Sequence, residues 1–218
     1  MWEAAYPPRW EFWVAIDHGD GLRSLYGRLE AFERPNTKTL VEKGTVLGSA
    51  GQTGYSTENG YYFSLYDNQE RRWVNPSMVV TPRADKKAPL IRGCFLVAAD
   101  RTFINLAQTR SLRQGSYRIL VDVVDTEENG LSPSAPQRIL CMINGEERGA
   151  LHLETIAVKA GKLMVNQLVP TPAELSYGKE PSFDLGEVRL TRGRTLLEII
   201  ARDASGNERI VSYTLSVE

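Results

Sequence analysis

Trp13-Val14-Ala15-Ile16-Asp17-His18-Gly19-Asp20-Gly21, followed by Leu22-Arg23-Ser24-Leu25-Tyr26-Gly27-Arg28-Leu29, is the stretch on which the fold turns. An apolar run closes on a turn rich in glycine and aspartate, and an extended segment returns from it, the pattern of two strands joined by a tight turn. Downstream, Thr39-Leu40-Val41 and Thr45-Val46-Leu47-Gly48 flank Lys43-Gly44 and read as two short strands folded over a glycine turn. Residues 61–66 and 72–74 read as two more strands around Asp67-Asn68. No stretch keeps a sustained 3.6 period, so extended structure dominates.

From Thr81 to Pro89 the composition changes to Thr-Pro-Arg-Ala-Asp-Lys-Lys-Ala-Pro. Two prolines bracket charged residues with nothing apolar to anchor a core, which reads as an interdomain linker. The expected organisation is a first domain over residues 1–80, a linker over 81–89 and a second domain over 90–218. In the second domain strands are expected at 94–97, 116–124, 138–143, 151–158, 162–167, 186–190, 196–202 and 210–217. Turn signals separate them, among them Asn129-Gly130, Asn144-Gly145, Ala160-Gly161 and Arg192-Gly193. Tyr117, Ile119, Val121 and Val123 alternate with other residues as a half-buried strand requires. The fold class is all-β, with a β-sandwich in the second domain.

The 218 residues are 42% hydrophobic and 24% charged, with a formal net charge of -1. That balance suits a soluble globular chain and leaves no positive excess to neutralise phosphates, which argues against nucleic acid as a partner. No apolar run reaches the ~18 residues of a membrane span. The first eight residues have neither a basic n-region nor an apolar h-region, so no signal peptide is expected within the chain. Cys94 and Cys141 each sit in an apolar run and read as inert core thiols, with a disulfide in an oxidising compartment as the alternative. Neither has a second cysteine or histidine at ligand spacing.

Five stretches in order carry a family likeness: residues 14–21, Leu25-Tyr26-Gly27-Arg28-Leu29, residues 41–48, Gly51-Gln52-Thr53-Gly54-Tyr55-Ser56-Thr57, and Val74-Asn75-Pro76. Together they resemble the second half of a lysostaphin/LytM-type zinc endopeptidase domain, a family that cuts peptide crossbridges of peptidoglycan. The resemblance covers about a third of the chain. The second domain resembles bacterial immunoglobulin-like modules, through Leu112-Arg113-Gln114-Gly115-Ser116-Tyr117-Arg118-Ile119 and Ala201-Arg202-Asp203-Ala204-Ser205-Gly206-Asn207.

A hydrolytic zinc site needs three His, Asp or Glu ligands and an open fourth position. The family takes a His and an Asp from an early motif and a His from a late His-x-His, and places a catalytic His in a Tyr-x-His-Leu segment. Aligned from Gly51, the late pair falls on Gly60 and Tyr62, and the Tyr-x-His-Leu histidine falls on Arg28. The early motif has no counterpart, which implies an N-terminally incomplete domain. The chain has two histidines. His18 lies in a turn that in the family shapes a hairpin, and His152 lies beyond the linker. The resemblance therefore implies a degenerate domain with no catalytic residue, no metal and no cofactor.

Tyr61, Tyr62 and Phe63 read first as strand-filling aromatics. The functional alternative is a shallow groove in which Arg28, Tyr61 and Tyr62 bind peptide or glycan, arginine clamping a carboxylate and tyrosine faces stacking. Asp17 and Asp20 read as turn hydrogen-bonding groups. Asp122, Asp125, Glu127 and Glu128 read as a solvated strand end, with calcium as the alternative. The aromatics Trp2, Trp10, Phe12 and Trp13 are expected to pack on the first sheet. The resulting expectation is a non-catalytic, periplasmic or envelope-associated protein that binds peptidoglycan or regulates a cell-wall hydrolase. The alternatives are an assembly module acting through the sandwich, and an active LytM-type endopeptidase completed by upstream residues.

Overall fold

The computed structural model describes residues 12–32, 40–52, 60–80, 85–126, 134–165, 171–172 and 183–218. The chain divides into two compact units, Met1–Pro76 and Ser77–Glu218. Among the described residues the regular structure is all-β, apart from one short 3-10 turn at Pro76–Met78. No described helix is long and apolar enough to cross a membrane.

In the first unit, β1 (Trp13–Asp17) and β2 (Leu22–Gly27) form the hairpin expected around the Asp-His-Gly turn. Arg28 separates β2 from β3 (Leu29–Phe32), which pairs with β4 (Gly48–Ala50) through a register irregularity between Leu29 and Ala31. β5 (Tyr62–Asp67) pairs with β2 on one side and with β6 (Arg72–Val74) on the other. Leu25, Leu29 and Leu65 are buried, beside the buried hydroxyls of Ser24 and Ser64. Among the described residues 40–47 no strand forms on either side of Lys43-Gly44, and Thr39 lies outside the described residues. Thr45 N does donate to Glu42 O across that turn (3.1 Å), but the strand after it pairs with β3. A glycine turn marks a reversal and not the partner.

The second unit is a two-sheet sandwich. β7 (Leu90–Ala98), β8 (Phe103–Asn105), β9 (Ser111–Leu112) and β10 (Gly115–Val124) are followed by β11 (Arg138–Ile143) and β12 (Glu146–His152). A ribbon of β13 (Thr155–Lys159), β14 (Lys162–Val165) and β15 (Thr171–Pro172) precedes β16 (Phe183–Leu190), β17 (Gly193–Arg202) and β18 (Glu208–Val217). One sheet has the order β16-β10-β7-β8 and the other β12-β11-β17-β18-β9. All pairs within these two sheets are antiparallel except β9 with β18.

Alternation makes the core. Tyr117, Ile119, Val121 and Val123 of β10 face Ile139, Cys141, Leu197, Ile199 and Leu215 of the other sheet's strands in one buried cluster. Each such aliphatic side chain contributes roughly 1.5–3 kcal/mol by leaving water. The Asn144-Gly145 turn has both residues at positive φ (52° and 83°), and Ile143 pairs with Glu146 across it. That two-residue geometry matches strand twist and explains the Asn-Gly signal. The expected single strand over 151–158 is two strands, β12 ending at His152 and β13 starting at Thr155, because the chain turns at Leu153-Glu154 just after Leu153 N makes a last bond in the β11 register to Gln137 O (2.9 Å). Leu153 is apolar, so the run looked continuous.

Tyr117 also anchors the entry of β10: its hydroxyl donates to Arg113 O at 2.6 Å, four residues upstream. Tyr117→Phe removes that donor while keeping the buried ring. The expected loss is about 1 kcal/mol, read as a lower urea midpoint at unchanged m-value.

Candidate functional site

The Asp17–Gly21 turn is built by its own polar groups. Asp17 accepts from Gly19 N (3.0 Å) and from Arg23 Nε (2.9 Å), and both contacts hold its carboxyl below the usual aspartate range. His18 Nε2 lies 2.8 Å from Ser24 Oγ, across the hairpin. Asp20 O accepts from Gln69 Nε2 (3.4 Å). The Asp17 carboxylate and the His18 ring therefore serve the hairpin, whereas Asp20 takes part through its backbone carbonyl.

Arg28 lies between β2 and β3 with a left-handed backbone (φ 64°). Its carbonyl accepts from Gly51 N (2.9 Å), and Gly51 O in turn accepts from Gly60 N (3.2 Å). This chain of backbone bonds brings Gly60 under the Arg28 guanidinium. A methyl carbon added at Gly60 would lie 3.8 Å from both Nη atoms of Arg28. Tyr62 stands opposite Gly27 in the β2–β5 register, one residue from Arg28. It is 43% exposed, and burial of the rest pushes its phenol above the ordinary tyrosine value. Tyr61 precedes the strand and projects outward, 65% exposed.

Arg28 and Gly60 are thus brought together, Tyr62 lies one register position away, and Tyr61 faces solvent. These groups do not fit zinc. Glycine offers no donor, the Tyr62 phenol is held in its protonated form at neutral pH, and a permanent guanidinium charge lies against the remaining space. His152 lies in the second unit, on β12. The arrangement can instead present a cation and an aromatic face to an anionic or sugar-like ligand.

The acidic strand end forms differently from its sequence reading. Asp122 accepts from Arg92 Nε (2.9 Å) and Nη2 (2.6 Å), whereas Asp125 turns inward. Its carboxylate meets those of Asp85 and Asp203, all within 4.8 Å of one another. Asp203 is tied down by Asn207, which donates from N (2.8 Å) and Nδ2 (2.7 Å) and also reaches Asp85 O (3.1 Å). This grouping joins distant segments, and no local motif announces it. Glu127, Glu128, Trp2, Trp10, residues 53–59 of the glycine-rich stretch and residues 81–84 of the expected linker lie outside the described residues.

The fold and this geometry define an all-β chain with a LytM-type turn framework in its first unit. Residues 3–76 match the model of Peptidase family M23, which supports a LytM-type domain over about the first third of the chain. Residues 88–218, more than half of the chain, match a second family model that carries no functional description, and the chain belongs to that family. No curated protein and no solved structure matches the chain.

Proposed function

We propose that this chain is a non-catalytic cell-envelope protein that binds peptidoglycan or regulates a cell-wall hydrolase, through a degenerate LytM-type unit. The observation that carries the reading is the Arg28 guanidinium packed over Gly60, where the resemblance calls for histidines. A cation there repels zinc and attracts the carboxylates of wall peptides, and Tyr62 beside it supplies an aromatic face. In this reading the second unit is an immunoglobulin-like module. The parallel seating of the short β9 against the last strand, and the tyrosine hydroxyl tied back to Arg113, support it. An envelope location follows from the ligand class.

Purified protein should co-sediment with isolated sacculi, or stimulate a wall amidase, without releasing crossbridge fragments itself. Arg28→Ala should weaken sacculus binding about tenfold, the worth of one charge-assisted contact. Stoichiometric zinc with chelator-sensitive cleavage would overturn the non-catalytic reading. Neither binding nor stimulation would remove the envelope role.

A further inference from the structure

A cavity of about 120 Å³ opens on the outer face of the five-stranded sheet. Gln137 and Arg138 at the start of β11, Glu154 after β12, and Arg202, Asp203 and Gly206 around the β17–β18 turn line it. In the register Arg138 stands directly opposite Arg202 on one side and His152 on the other. The inward neighbours Ile139, Leu151 and Ala201 are core residues, so the sheet fixes both arginines on its outer face. Like charges directly opposite one another weaken strand pairing. Among the described residues neither Arg138 nor Arg202 makes an ion pair.

The polar details favour an occupant. Arg138 Nε is shielded from solvent and has no hydrogen-bond acceptor among the described residues. Arg202 reaches over the turn, with Nη2 3.5 Å from where a Gly206 Cβ would stand. His152 is held below its ordinary value, first by burial and then by Arg138, so it adds no charge at neutral pH. Asp203 is already engaged with Asn207. Glu154 remains as a further anionic group in the cavity lining. Two guanidinium and two carboxylate groups line the cavity, and Asp85 and Asp125 stand against Asp203, so the site has no positive excess: it suits a ligand that carries an ammonium as well as a carboxylate and disfavours a dianion such as phosphate. The volume equals that of roughly four liquid waters, enough for a small amino acid.

We propose that this cavity binds a small zwitterionic α-amino acid, its carboxylate on Arg138 and Arg202 and its ammonium group toward Glu154. The site lies in the second unit and stands independently of the peptidoglycan reading of the first. The test is an NMR titration of the full chain, following the arginine Nε–H resonances with glycine, alanine, acetate and inorganic phosphate. Glycine or alanine should shift the Arg138 and Arg202 signals saturably below about 50 mM, with acetate about tenfold weaker. Arg202→Gln, at an exposed side chain, should weaken alanine binding at least about tenfold. Glu154→Gln should lower alanine to the level of acetate. Thermal melts of both variants should match the parent, which separates lost binding from lost fold. No saturable shift, phosphate binding more tightly than alanine, or unchanged affinity in both folded variants would overturn the proposal.

Discussion

Raising the pH from 8.5 to 10.5 should cost this protein about 5 kcal/mol of folding stability through its two cysteines. Cys94 on β7 and Cys141 on β11 are free thiols on facing inner surfaces of the sandwich, both wholly buried. Burial pushes the Cys141 thiol up to about 12 and Cys94 higher still, with proximity to Cys141 a second cause for Cys94. Each folded-state value is raised above the unfolded one, so the stabilising contribution is complete below the unfolded value near 8.5. It is lost as pH climbs toward the folded values, because only the unfolded chain can release the protons. Two thiols together give a slope of about -2.7 kcal/mol per pH unit within that window. Urea unfolding under reducing conditions at successive pH values measures it. The Cys94→Ala/Cys141→Ala double variant should be less stable at neutral pH but flatter above pH 8.5. Parallel profiles for parent and variant would show that the thiols do not titrate on unfolding. Tyr213, whose phenol burial also raises, adds a smaller decline at higher pH in both proteins.

The same burial explains why the sandwich was legible in sequence. β10 from Tyr117 and β18 from Tyr213 put every second residue into the core, and that period-two signal survives without knowledge of partners. β8 and β9, three and two residues long, have no room to show a period. β9 is defined by its parallel pairing with Ser216 and Val217, made by bonds from Ser216 N to Arg110 O and from Glu218 N to Leu112 O, which no local pattern can announce. Pairing choice is the general limit. It led the Lys43-Gly44 flanks to be read as partners, and it hid the Arg138–Arg202 apposition, where two strands far apart in sequence share one register. Arg28 and Gly60 were legible because an ordered set of turns fixed their positions before any contact was known. What the sequence lacked was the guanidinium's place directly over Gly60.

Gly51→Ala should destabilise the first unit by about 1–3 kcal/mol, the cost of forcing an atom into a closed space. A Cβ at Gly51 would lie 2.7 Å from Glu30 N and from Glu30 Cβ, and 2.8 Å from Glu30 Cα. Two of those three atoms are backbone, so rotating a side chain cannot relieve the clash; β3 and β4 must separate. The described core of this unit rests on Leu25, Leu29 and Leu65, each worth roughly 1.5–3 kcal/mol. One added methyl therefore removes about as much stability as one of its core residues supplies. Ser49→Ala, at the exposed neighbouring position, should change stability by less than about 0.5 kcal/mol. Hydrogen exchange reads the effect locally: the Gly51 and Gly60 amides, bonded to Arg28 O and Gly51 O, should lose protection together. Because those two bonds hold Gly60 beneath Arg28, Gly51→Ala should also loosen sacculus binding if the Arg28 surface is the binding surface. Retention of sacculi at parental strength, with protection at Gly60 lost, would place the binding surface elsewhere on the protein.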